Sequence, residues 1–159
     1  MNTNYLFPYK FKKVGWLVLI PSAILGLIIL FSEYSPDFFN FRVPAIIIDD
    51  FLFAEKKLFG MIENNILDEI LGVLVIISSI LVAFSKEKIE DEFISKIRME
   101  SLVWAVYVNY GVLLLCMLFL YDFSFLWVMI FNMFTVLIFF IVRFNWQISK
   151  LKKSTNHEE

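Results

Sequence analysis

Residues 101–142 read SLVWAVYVNYGVLLLCMLFLYDFSFLWVMIFNMFTVLIFFIV, two uncharged runs of 21 and 20 residues separated by Asp122 alone. A helix rising ~1.5 Å per residue needs roughly 20 residues to cross ~30 Å of hydrocarbon, so each run is long enough to span a bilayer. A break of one or two residues between two such runs returns the chain at once, which predicts an antiparallel helical hairpin. Two more apolar runs lie upstream. Residues 14–31 hold no charge over 18 positions, and residues 66–85 hold only Asp68 and Glu69, both at their start. The expected fold is therefore an all-α membrane protein. Four transmembrane helices, at about 14–31, 66–85, 101–121 and 123–142, form a bundle in a single domain over residues 1–159.

Composition supports this solvent. The chain is 60% hydrophobic and 18% aromatic, too apolar for a water-soluble domain of 159 residues. The net charge of -2 is small and its charges gather between the apolar runs, so no basic face is available for nucleic acid. Cys116 is the single cysteine and lies inside the third run, which excludes an internal disulfide and a multi-thiolate metal site. Lys10, Lys12 and Lys13 ahead of an apolar run are also how a secretory signal opens. The run is long for that role and residues 30–34, Leu-Phe-Ser-Glu-Tyr, offer no small-x-small cleavage site, so the first run is expected to remain as an anchor.

Orientation follows from lysine and arginine, which are retained on the cytoplasmic side. Three fall in residues 1–13, four in 86–100 and four in the 143–159 tail, against three in the longer 32–65 segment and none in the turn at 121–122. The alternation predicts a multi-pass protein of the cell (inner) membrane with its N-terminus and C-terminus cytoplasmic, a long external loop 32–65, and a cytoplasmic loop 86–100. Trp16, Trp104 and Trp146 fall toward the inner interface, and Tyr121 and Trp127 toward the outer one. Within the external loop, apolar residues at 48, 51, 52, 58, 59 and 62 match a helical stripe, so an amphipathic helix is expected over 46–62. Asn64 and Asn65 then mark a break and a fresh N-cap for the second span. Ile89, Phe93, Ile97 and Ser101 recur every four residues, which extends the third helix below its span as a helical foot.

Polar and small residues inside the spans supply the candidate contacts. Asn109 and Asn132 lie near the middles of the third and fourth spans, at matching distances from the turn. A neutral amide in hydrocarbon needs a partner, so the two are expected to bond across the hairpin, with Thr135 and Tyr107 in support. The alternative use of the same four residues is to line a polar path. Ser101, Ala105, Asn109, Val112 and Cys116 form a slim ridge on the third helix. Gly15, Ser22 and Gly26 in the first span match the spacing of Gly72, Ser79 and Ala83 in the second, the small-residue pattern that lets membrane helices touch. Pro21 is expected to kink the first helix. Asp68 and Glu69 fit the first turn of the second helix, where acids favour the positive end of its dipole.

Chemistry is harder to nominate. Metal binding wants clustered histidines, thiolates or acids, and the single histidine, His157, lies in the tail. Nucleophilic catalysis wants a base beside a serine or cysteine, and no such pair stands out. The expectation is a non-enzymatic membrane protein with no cofactor: a scaffold, accessory subunit or sensor module. Its partners are the lipid bilayer and a membrane-protein partner or a second copy of itself. The alternative is a small oligomeric transporter or channel using the polar residues of spans three and four.

Overall fold

The structure is a computed structural model that describes residues 5–32, 36–49, 56–121 and 123–155; at 47–49, 56–58, 154 and 155 it describes backbone alone. Four α-helices dominate: α1 (Tyr9–Ser32), α2 (Leu67–Ala83), α3 (Glu92–Phe119) and α4 (Phe123–Thr155). Three of them, α1, α3 and α4, are long and apolar enough to cross a membrane. α2 is as apolar but has 17 residues, or ~25 Å of helix, somewhat less than the hydrocarbon thickness. The chain divides into two compact units, residues 20–74 and residues 1–19 with 75–159.

The first of these units corrects the expected amphipathic helix over 46–62. The chain there forms an antiparallel β-hairpin of β1 (Asn40–Asp49) and β2 (Lys56–Asn65), while residues 50–55 lie outside the described residues. The physical reason is in the side chains the helical stripe passes over. Ile46, Ile47 and Ile48 are β-branched and lose side-chain freedom in a helix while fitting a pleated strand. Pro44 also disfavours helical geometry at Val43 before it. Once the chain doubles back, stripe positions 58 and 62 pair across the strands with residues outside the stripe, Leu58 with Ile47 and Ile62 with Val43.

The hairpin is held by more than its ladder. Arg42 and Glu63 face each other across the strands and form an exposed ion pair at 2.8 Å. Asn65 gathers the base of the hairpin: its Nδ2 donates to the Pro36 carbonyl at 2.9 Å and to Asn40 Oδ1 at 3.0 Å. Its Oδ1 accepts the Leu67 N–H at 3.2 Å, while the Ile66 carbonyl accepts the first helical N–H, from Ile70, so Ile66 holds the cap position and Asn65 stands one residue before it. Asn64 donates to Glu69 at 2.6 Å, which settles Glu69 in the first turn of α2 beside Asp68. Among the described residues Phe59 is the one non-glycine at positive φ, 61°, a left-handed conformation that a bulky residue rarely adopts.

In the other unit, α3 and α4 run as an antiparallel pair. α3 starts at Glu92, ahead of its apolar run, because Asp91 caps it by accepting the Ile94 N–H at 2.8 Å. The buried residues of α3 are Ile94, Ile97, Arg98, Ser101, Ala105 and Asn109, a stripe at three- and four-residue steps. The small ridge is thus buried from Ser101 to Asn109, while Val112 is exposed and Cys116 half-buried. Phe140 and Phe144 of α4 stack at 5.8 Å, and Phe84, after α2, packs on Phe140 at 5.7 Å.

Gly15 of α1 meets α2 closely. A Cβ placed there would lie 2.8 Å from Val82 Cγ2 and 3.1 Å from the Ser78 carbonyl oxygen. Gly26, the other glycine of the small-residue pattern in α1, faces open space. α1 continues through Pro21 to Ser32.

Candidate functional site

The charged residues that the fold buries converge at one end of the second unit. Ahead of α1, Phe7 makes a single parallel bridge to the segment after α2: its N–H donates to the Phe84 carbonyl at 2.9 Å, and its carbonyl accepts the Lys86 N–H at 2.8 Å. This strap sets the first turn of α1 beside the 84–91 connection. Lys12, one turn into α1, then forms an ion pair with Glu87 and donates to Asn145 Oδ1 of α4 at 2.9 Å. Asn145 in turn donates to the Ile141 carbonyl at 2.7 Å, which fixes which of its amide atoms faces Lys12.

A second pair lies beside the first. Arg98 of α3 donates through Nη2 to both carboxylate oxygens of Glu90, each at 3.0 Å, and through Nη1 to the Ser85 carbonyl at 3.1 Å. Glu90 also accepts the Glu87 N–H at 2.8 Å, so the two acids are linked through one backbone step. The ring of Phe144 lies against both cations, 5.5 Å from Lys12 Nζ and 4.9 Å from the Arg98 guanidinium carbon. Side-chain exposures of 6–12% for Lys12, Glu87, Glu90 and Arg98 mean that water solvates none of these charges well. Charges removed from water are tolerated only when paired and hydrogen-bonded. Two cations face two acids, so the cluster is neutral as a whole.

This arrangement ties together four elements: the start of α1, the 84–91 connection, the foot of α3 and the far part of α4. Both carboxylates in it accept from a cation, and Arg98 Nε is a buried donor with no acceptor among the described residues. Among the described residues no group of three or more His, Cys, Asp or Glu is placed to hold a metal ion.

Among the described residues no hydrogen bond joins the four residues nominated from sequence. Asn109 is buried, and its Nδ2 finds no acceptor among the described residues. Asn132 is half-buried. Thr135 donates to the Phe131 carbonyl one turn back, at 2.7 Å. Tyr107 is 75% exposed, on a different face of α3 from Asn109. Of the residues that do assemble, Lys12 and Arg98 carried only a topological signal in the sequence, as part of the basic counts at 1–13 and 86–100, and Glu87, Glu90 and Asn145 carried none. Arg143, from the basic count at 143–159, stacks on Trp104 with its guanidinium carbon 4.5 Å from the ring centre.

No family of known proteins, no curated protein and no solved structure matches this chain.

Proposed function

We propose that this chain is a four-span integral membrane protein with both termini cytoplasmic, acting without catalysis as a scaffold, accessory subunit or sensor module. The observation that carries the proposal is the closed clasp of Lys12–Glu87 and Glu90–Arg98. Its ionisable groups hold one another and hold helix ends together, which is the work of a rigid base rather than of an acid or base presented to a substrate. Apolar surface supports the membrane part: α1, α3 and α4 expose long rows of Leu, Ile, Val and Phe, which water would penalise and lipid tails would not. α2, at 17 residues, lies at the short end of the range that crosses a bilayer, which supports it as the fourth span. The hairpin belongs outside the hydrocarbon, because open strand edges find no hydrogen-bond partners in lipid.

Extraction in mild detergent followed by crosslinking tests the proposal. A defined complex, either of copies of this chain or with a second membrane protein, is expected. A strict monomer with nothing co-purifying overturns it. Tags on the two termini should report the same side of the membrane. The alternative of a small oligomeric transporter or channel gains no support from the placement of Asn109, Asn132, Thr135 and Tyr107.

A further inference from the structure

Two grooves run along the α3–α4 pair near the clasp and share Trp146. One, of about 470 Å³, is flanked by Lys96, Glu100 and Lys150. The other, of about 440 Å³, is flanked by Trp104, Phe139 and Arg143. Together they grade from charged to apolar along the helix axis. From Lys150 back to Phe139 is ~16 Å of helix, more than the ~5–8 Å headgroup layer on one side of a bilayer. Three cations face one acid over the length, so the lining is net positive. Two of the cations are positioned on aromatic rings: the Arg143 guanidinium on Trp104 at 4.5 Å and Lys150 Nζ near Trp146 at 6.0 Å. Stacking on Trp104 leaves the in-plane N–H groups of the guanidinium available to an acceptor, and Arg143 Nε, itself buried, has none among the described residues.

We propose that these grooves form one site for an anionic phospholipid. The phosphate would lie among Lys96, Lys150 and Arg143, and an acyl chain would follow Trp104 and Phe139 toward the apolar middle of α4. Charge complementarity selects the anionic headgroup, since basic pockets between membrane helices favour such lipids. The charged-to-apolar grade selects an amphiphile over a free anion. The inference rests on the membrane reading proposed above.

The full chain, purified in neutral detergent, is offered equal amounts of phosphatidylglycerol and phosphatidylcholine, and retained lipid is counted by native mass spectrometry. The wild type should retain phosphatidylglycerol preferentially. Lys96→Gln and Lys150→Gln are surface changes, each of which should reduce that preference about fivefold, and the double variant carrying both should reduce it further. The pair Lys152→Gln and Lys153→Gln removes equal charge outside the grooves and should leave it unchanged. Equal loss in both double variants, or no preference in the wild type, overturns the site. Displacement of the lipid by excess inorganic phosphate also overturns it, in favour of a simple phosphate site. The same purification separates the two claims. A chain that stays dissolved without detergent defeats the membrane reading, whereas one that needs detergent yet shows no lipid preference defeats the site alone.

Discussion

Arg98 reaches back from α3 to hold both carboxylate oxygens of Glu90 at 3.0 Å, while its second terminal nitrogen donates to the Ser85 carbonyl at 3.1 Å. One guanidinium thus fastens the 84–91 connection at two places. Breaking one member of such a buried pair leaves the other charge stranded, which typically costs about 3–5 kcal/mol. Replacing both by apolar residues of similar volume is often neutral. Glu90→Gln should therefore lower stability by about 3 kcal/mol, and the double variant Glu90→Leu with Arg98→Met should recover most of the loss. Denaturant unfolding in detergent measures both. A single variant as stable as wild type would show that the pair does not hold this end of the fold.

Gly15 and Gly26 look alike in sequence and differ in surroundings. Gly15→Ala pushes a methyl against Val82 and the backbone of α2, an overpacking of about 1–3 kcal/mol. Gly26→Ala meets open space and should gain up to about 1 kcal/mol from helix propensity. The ranking of the two midpoints in one unfolding assay checks the close approach of α1 and α2.

Phe59 holds φ 61 and is 78% exposed, so its side chain contributes little packing to offset its backbone strain. Phe59→Gly should strengthen the hairpin by about 1 kcal/mol, since glycine adopts this conformation freely. Amide hydrogen exchange across Val43–Ile62 and Ala45–Gly60 is the readout, with slower exchange expected. Faster exchange would mean that the Phe59 ring contributes more than the strain removes.

Asn132 makes no hydrogen bond to Asn109 in this structure, so Asn132→Leu should change stability by less than about 0.5 kcal/mol. An inter-amide bond would instead make the substitution cost about 1 kcal/mol. The difference is measurable by equilibrium unfolding, and a loss near the larger figure would restore the bond expected from sequence.

Elements whose information is local were legible before any fold was known. Unbroken apolar runs defined α1, α3 and α4. The four-residue spacing from Ile89 extended α3 upstream, although Asp91 delays its start to Glu92. Asn64 and Asn65 were legible as the break before α2, although Ile66 takes the cap position itself. The stripe Ser101–Ala105–Asn109 is buried as its spacing implied. Periodicity failed over 46–62 because it presumes that the chain continues in one direction. A helical stripe and a hairpin with apolar cross-strand pairs can use the same residues, and the β-branched run Ile46–Ile48 was the signal that should have decided between them.

The sequence by itself determined the medium suited to these helices and how long they are, because burial of apolar side chains and helical rise depend on residue type and count alone. Only the tertiary structure decided which polar groups meet. Lys12 and Glu87 stand 75 positions apart, and Lys12 and Asn145 stand 133 apart. No local pattern distinguishes those partners from the other charged residues near the helix ends. Pairing across such separations is set by which helix ends the packing brings together and by the penalty of leaving a charge there unmatched.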